Sequence, residues 1–209
     1  MQKPLLIAAI ALLMGLLSWM LFGWQPVEKP ASSALQSQAA IVPGGGDFTL
    51  RGAEGPVRLA DFRGQVVLLY FGYTWCPDIC PTNLAIFSQV LHALKPEELA
   101  QVQPIFISVD PRRDDQARLK EYTGYFHPRL IGVTGSDAEV ARVAALYGVI
   151  YRAVNSETEA NYAVDHTADT YLIDQQGGLV RSLPHGTNAE SLLKAIRDQL
   201  SGDAERKAG

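Results

Sequence analysis

Apolar and polar positions change their period several times along this chain, and each change marks an element. Leu5 to Trp24 (LLIAAIALLMGLLSWMLFGW) is a nearly unbroken apolar run, and no charged residue lies between Lys3 and Glu28. At 1.5 Å per residue this run spans about 30 Å as a helix, the thickness of a bilayer's hydrocarbon layer. Residues 25–45 are small, polar and punctuated by Pro and Gly, the pattern of a tether. Beyond them two periods alternate. Residues 65–71 (QVVLLYF) and 102–110 (VQPIFISVD) are continuous runs that suit strands buried on both faces, and 130–135 (LIGVTG) is a shorter strand. Residues 82–95 space Leu84, Phe87, Val90, Leu91 and Leu94 along one helix face, and 114–126 repeat the spacing with Leu119, Tyr122 and Phe126. Ser136 with Glu139 forms a capping-box pattern for a helix over 137–147. DTYLID (169–174), a QQGG turn and LVRSL (179–183) predict a hairpin, and Asn188 caps a last amphipathic helix over 189–200.

Strands alternating with helices, closed by a hairpin and a helix, predict an α/β fold with a thioredoxin-like central sheet flanked by helices. A weaker alternation at 47–60 adds an N-terminal β-hairpin. The chain divides into a single transmembrane anchor at 1–24, a flexible tether at 25–45, a globular domain at 46–200 and a disordered polar tail at 201–209. A secretory signal has a shorter apolar core of roughly 7–15 residues; the ASSAL and QSQAA stretches keep cleavage open as the alternative. Trp19 and Trp24 lie toward the far end of the run, where aromatic rings favour the interface, and Lys3 favours a cytoplasmic N-terminus. No long Arg- and Ser-rich presequence precedes the run. This points to one pass through a bacterial inner membrane, with the globular domain in the periplasm.

Composition narrows the function classes. Of 209 residues 47% are hydrophobic and 19% charged, which excludes global disorder. With 18 basic and 22 acidic residues the net charge is −4, so no nucleic-acid partner is expected. Two cysteines cannot staple a disulfide scaffold. They can make one site.

That site is Tyr73-Thr74-Trp75-Cys76-Pro77-Asp78-Ile79-Cys80-Pro81, directly after the first buried strand. Pro81 is well placed as the first residue of the following helix. Cys80 is then expected where unpaired N–H groups and the helix dipole lower a thiol's pKa. Cysteines at i and i+4 in a tight turn come close enough for a disulfide, and equally for chelating one metal. A structural disulfide there would close a trivial loop and remove little unfolded-state entropy, which favours chemistry. His166, in Val164-Asp165-His166-Thr167-Ala168-Asp169, is the second candidate. If strand 169–174 runs antiparallel to 65–71, its N-terminal end lies where strand 65–71 ends, and His166 approaches Cys76 and Cys80. Dithiol oxidoreductases of thioredoxin type hold a cis-proline in this loop, where this chain has Ala168. Asp110 is the third candidate. Strand 103–109 should run parallel to 65–71, so Asp110 leaves the sheet at the edge where ligands collect. It can orient a ligand, accept a hydrogen bond behind the ligands, or cap a turn before Pro111. His92, His127 and His185 read as structural or solvated. Two thiolates and one imidazole favour Cu(I) and keep Cu(II) acceptable. Structural zinc wants four protein ligands, and a fourth would have to come from Asp110. Copper needs both thiols reduced, which couples the site to redox state.

Together YFGYTWCPDICPTNL, ISVDPRRD, FHPRLIGVTG and VDHTADTYLID resemble, in order over roughly residues 44–200, the SCO/SenC copper chaperones of cytochrome c oxidase assembly. The resemblance implies that Cys76, Cys80 and His166 are ligands for Cu(I) and Cu(II). It also implies a task at cytochrome c oxidase subunit II: metallating its dinuclear copper centre, or reducing that centre's cysteines beforehand. A periplasmic copper donor or thiol reductant would serve the site in turn. The alternative from another class is a thiol–disulfide oxidoreductase acting on periplasmic protein cysteines, with Cys76 and Cys80 as redox pair and Cys76 attacking.

Overall fold

The structure, a computed structural model, describes residues 12–19, 44–154 and 162–208. Its contacts divide the chain into two units, Met1–Ile41 and Val42–Gly209. In the first unit residues 12–19 form helix α1. The rest of the expected anchor and nearly all of the expected tether lie outside the described residues. Among the described residues no helix is long and apolar enough to cross a membrane.

The second unit alternates strands and helices. In chain order it runs β1 (Thr49–Gly52), β2 (Gly55–Arg58), a 3-10 turn (Leu59–Phe62), β3 (Val66–Gly72), α2 (Ile79–Ala93), α3 (Pro96–Leu99), β4 (Val102–Ser108), α4 (Gln116–Phe126), β5 (Ile131–Thr134) and α5 (Asp137–Leu146). It continues through β6 (Tyr151–Val154), β7 (Ala163–His166), β8 (Thr170–Ile173), β9 (Leu179–Leu183) and α6 (Ala189–Ala208). Seven strands form one sheet in the order β2-β1-β5-β4-β3-β8-β9. β3 and β4 lie parallel at its centre, in register from Val66↔Val102 to Gly72↔Ser108. Every residue of both is buried. That burial on two faces is why their sequences are continuous apolar runs rather than alternating ones. β8 runs antiparallel to β3, with Tyr70 opposite Thr170, so the chain leading into β8 arrives at the end from which β3 departs. β1 pairs antiparallel with β5, and the expected N-terminal hairpin therefore extends the sheet.

Side-chain alternation along β3 sorts the core into two layers. Tyr70 meets Phe87 of α2 and Phe106 of β4, and Phe106 meets Tyr122 of α4. Its neighbour Phe71 meets Tyr147 and Tyr171, with Phe48 against Tyr147. Local signals hold the helix ends. Ser136 and Glu139 close the expected capping box, Asp115 caps α4 through the Arg118 N–H at 2.8 Å, and Asn188 accepts from the Ser191 N–H at 2.9 Å.

Three features depart from the sequence reading. α2 begins at Ile79, so Pro81 is its third residue, where a missing N–H still costs nothing because first-turn N–H groups have no helical acceptor. α6 runs through Ala208, so the polar tail expected over 201–209 carries helical backbone almost to its end. Finally, His166 sits on a strand. β6 and β7 form a separate antiparallel ribbon with Tyr151 opposite His166 and Val154 opposite Ala163. Four residues per strand give too little periodicity to see in the sequence.

Candidate metal centre

The carboxyl-terminal end of β3, the first turn of α2 and the end of β7 converge on three side chains. Cys76 Sγ, Cys80 Sγ and a ring nitrogen of His166 all lie within 4.8 Å of one another, and both cysteines are free thiols. Cys80 Sγ is 3.4 Å from His166 Nε2. His166 Nδ1 lies 3.0 Å from the Thr167 carbonyl oxygen. A carbonyl can only accept, so Nδ1 carries the proton and Nε2 keeps its lone pair for the sulfurs, as in a metal-ligating histidine. Tyr73 and Tyr70 hold the ring edge-on at centroid distances of 5.9 and 6.3 Å.

The two sulfurs differ in kind. Cys80 is fully buried under Gly72 and Phe106, and the Tyr70 hydroxyl donates to its sulfur at 3.9 Å. Cys76 is half-buried, and the Cys80 backbone N–H donates to its sulfur at 3.4 Å. The Cys80 thiol donates toward Cys76, which pulls the Cys76 thiol down to about 3 from an ordinary 9.0, with help from the Cys80 and Asp78 N–H groups. The same hydrogen bond, together with burial, pushes the Cys80 thiol up. This corrects the expectation that the helix N-terminus would activate Cys80. Its sulfur turns into the core, while its N–H, one of the first-turn donors, points back at Cys76. The lowered thiol pKa therefore belongs to Cys76, the more accessible of the two sulfurs.

Asp110 stands apart from this trio. It is 3% exposed, and its carboxylate accepts from Arg113 Nε and the Tyr162 hydroxyl. Among the described residues the candidate ligand group contains Cys76, Cys80 and His166 only, so the fourth zinc ligand considered for Asp110 is not in place. Of the other histidines, His92 and His127 pack edge-on at 5.0 Å, with His92 Nδ1 on the Ser88 carbonyl oxygen and His127 Nδ1 accepting from the Arg129 N–H. Burial, then the charges of His92 and Arg129, lower the His127 pKa. Both are structural, as expected.

Four contributors were not singled out in the sequence. A Cβ on Gly72 would lie 2.5 Å from Cys80 Sγ and 2.9 Å from the Phe106 ring, so only glycine lets the buried sulfur rest on the strand. Its sequence signal is a glycine closing a buried strand just ahead of the cysteine turn. Tyr70 stood in the strand run at 65–71 and Tyr73 opened the cysteine motif, neither with a role of its own. Asn83 is buried and donates to the Ala168 carbonyl oxygen at 3.2 Å, tying α2 to the segment after His166.

The donor set fits a soft metal. A metal about 2.0–2.3 Å from each donor sets trigonal donors about 3.5–4 Å apart, close to the spacing found. Two thiolates and one imidazole suit copper in either oxidation state.

Comparison with known proteins agrees with this site and fold. The SCO1/SenC family profile matches residues 36–201. The mitochondrial SCO2 homolog of Mus musculus is 44% identical over 176 residues, covering 83% of this chain and 68% of that protein. A SCO2-like protein of Rickettsia conorii is 33% identical over 197 residues, covering 93% of this chain and 96% of its own. Among solved structures, Arabidopsis thaliana ScoI with copper bound superposes with a TM-score of 0.70 at 36% identity, covering 76% of this chain and 98% of that one. Yeast Sco1 with copper bound also gives a TM-score of 0.70, at 33% identity, over 78% of this chain and 93% of the other. The family profile, the curated relatives and the superposed structures thus agree, and this chain belongs to the SCO1/SenC family.

Proposed function

We propose that this protein carries copper, held by Cys76 Sγ, Cys80 Sγ and His166 Nε2, and passes it to the dinuclear copper centre of cytochrome c oxidase subunit II. The observation that carries this reading is the placement of His166 Nε2 3.4 Å from Cys80 Sγ, with all three ligand atoms inside 4.8 Å. A dithiol enzyme has no need of an imidazole there, whereas a metal does. Copper-bound relatives of the same fold support it. The asymmetry of the cysteines suits transfer: an incoming thiolate displaces the half-buried Cys76 or His166 first, while Cys80 stays fixed in the core. The test compares wild type with His166→Ala as reduced full-length protein. Stoichiometric copper uptake with a thiolate-to-Cu(II) charge-transfer band, weakened in the variant, supports the carrier. Affinity that does not change on losing His166 overturns it.

One observation favours a second reading, thiol–disulfide exchange on the oxidase subunit's cysteines or on other periplasmic proteins. The thiolate is the accessible sulfur and the buried sulfur keeps its proton. Cys76 would attack a partner's disulfide, releasing one partner thiolate. Cys80, giving up its proton, would then attack the mixed disulfide, so the pair is oxidised as the partner is reduced. Loss of partner reduction in Cys76→Ser, with activity intact in His166→Ala, would mark this reading.

The working topology has an apolar anchor at 1–24, a tether at 25–45 and a domain at 46–200 held in the periplasm of a bacterial inner membrane, where a periplasmic copper donor or thiol reductant reaches it. The apolar side chains along residues 12–19, such as Leu13 and Leu17, are exposed, which suits contact with lipid. Recovery of the full-length chain in the membrane pellet supports an anchor. A soluble chain starting near residue 32 or 41 would show a cleaved signal.

A further inference from the structure

Metal ligands from segments far apart in sequence need something to hold them in register. The segment from Ser108 to Asp114 touches both of them. Asp114 is fully buried, and its carboxylate accepts from the Thr74 N–H at 2.9 Å, the Thr74 hydroxyl at 2.6 Å and the Ser108 hydroxyl at 2.6 Å. Thr74 stands two residues before Cys76, so Asp114 pins the cysteine turn to the end of β4. Arg118 donates to the Thr74 hydroxyl at 2.7 Å and lies over the Trp75 ring at 4.8 Å, closing the same turn from outside.

Asp110 reaches the other half. Its carboxylate bridges Arg113 and the Tyr162 hydroxyl. Arg113 Nη1 donates to the Tyr162 carbonyl oxygen at 2.8 Å, and the guanidinium lies 3.6 Å from the Tyr162 ring centroid and 5.6 Å from that of Tyr73. Tyr162 directly precedes β7, the strand that ends in His166. Tyr73 completes the circuit, accepting from the Val164 N–H at 3.3 Å while its ring packs on His166. One hydroxyl links the Asp110 backbone to the Asp114 carboxylate, since Ser108 Oγ accepts from the Asp110 N–H at 3.1 Å and donates to Asp114 at 2.6 Å. A buried ion pair gives little net stability over apolar groups of the same size, because two charges must be stripped of water. Its return is geometric: directional bonds fix one arrangement.

We propose that Asp110 is a positioning residue that, through Arg113 and Tyr162, clasps the β6–β7 ribbon so that His166 stays on the sulfurs, while Asp114 holds the cysteine turn against the same loop. The clasp deepens the carrier reading, yet it is testable without metal. In Asp110→Asn the charge opposite Arg113 is gone. In Tyr162→Phe the ring remains over the guanidinium and only the hydroxyl is lost. Arg152→Gln removes an exposed ion pair to Asp165 on the same ribbon and serves as reference.

The first measurement is amide hydrogen exchange of the reduced, metal-free full-length chain, read on peptides spanning 162–168 and on β3 and β4. The expected result is exchange faster by about tenfold or more at 162–168 in both clasp variants, the loss of one charge-assisted hydrogen bond, with β3 and β4 and the Arg152→Gln ribbon unchanged. Unchanged ribbon exchange in the clasp variants overturns the proposal, as does equal acceleration across β3 and β4, which marks general destabilisation. The second measurement is spectroscopic. With Cu(II), imidazole nitrogen hyperfine coupling should fall in the clasp variants while the thiolate charge-transfer band persists; full nitrogen coupling in both overturns the link to His166. A wild-type protein that takes up no copper overturns the carrier reading, and the metal-free exchange result still decides the clasp.

Discussion

A methyl group placed on Gly72 tests how tightly the metal centre is built against the central strand. The added Cβ would fall 2.5 Å from Cys80 Sγ and 2.9 and 3.3 Å from Phe106 ring atoms. Carbon and sulfur in van der Waals contact sit about 3.5–4 Å apart, so the sulfur or the strand must move by about 1 Å. The strand is the stiffer of the two, because β3 is hydrogen-bonded to β4 on one side and β8 on the other. Cys80 therefore moves. Overpacking of this kind costs about 1–3 kcal/mol. Alanine offsets about 0.4–1 kcal/mol of this by narrowing the unfolded ensemble. Mid-range values give a net destabilisation of about 1.3 kcal/mol, or a Tm lower by about 3–5 °C for a domain of this size. Metal sites tolerate ligand displacements of only about 0.2 Å, so the copper affinity should fall by more than about tenfold. Circular-dichroism melts of the reduced, metal-free protein and a copper titration against a competing chelator measure the two effects. If Gly72→Ala melts within about 1 °C of wild type and binds copper equally well, close approach to Gly72 is not what places the sulfur.

Three further outcomes are expected. Because the Cys76 thiol is pulled from 9.0 down to about 3 in the folded protein, its thiolate persists from neutral pH down toward that value, and the stabilisation it brings is complete above 9.0 and lost as pH falls to about 3. Iodoacetamide should accordingly modify Cys76 at a rate nearly independent of pH between about 5 and 8 while sparing buried Cys80; a rate rising tenfold per pH unit across that window would refute the assignment. Gly124 lies within α4 with nothing inside 4 Å of an added Cβ, so Gly124→Ala should raise stability by about 0.5–1 kcal/mol in a denaturant titration, and a loss of stability would refute it. Asn83→Ala removes the part-buried bond to the Ala168 carbonyl oxygen and should cost about 1–2 kcal/mol, with faster amide exchange at 167–169; unchanged exchange there would mean α2 does not tether that segment.

The aromatic and β-branched runs at 65–71 and 102–110 exposed the centre of the sheet, because only strands covered on both faces are apolar at every position. Caps at Ser136 and Asn188 were readable for a different reason: each is a local bond between a side chain and a backbone N–H three residues on. The β6–β7 ribbon left no comparable trace, since its four-residue strands owe their pairing to each other and to Tyr73 rather than to a periodic apolar face. Cys80 shows the same limit at the site. Its position at a helix start suggested an activated thiol, but the direction of its side chain into the core reverses the assignment and hands the thiolate to Cys76.

Sequence alone determined the residue types of the centre, two cysteines one helical turn apart and a histidine ahead of a strand, while the strand pairing that brings them to one edge was a condition that the sheet itself met. Tertiary structure decided which sulfur is charged, which nitrogen of His166 faces the sulfurs, and that Asp110 grips the histidine strand instead of joining the ligands. The division has one physical cause. Periodicity and caps are encoded within a few residues, whereas side-chain direction, desolvation and the sharing of a proton between thiols depend on neighbours that only the folded chain supplies.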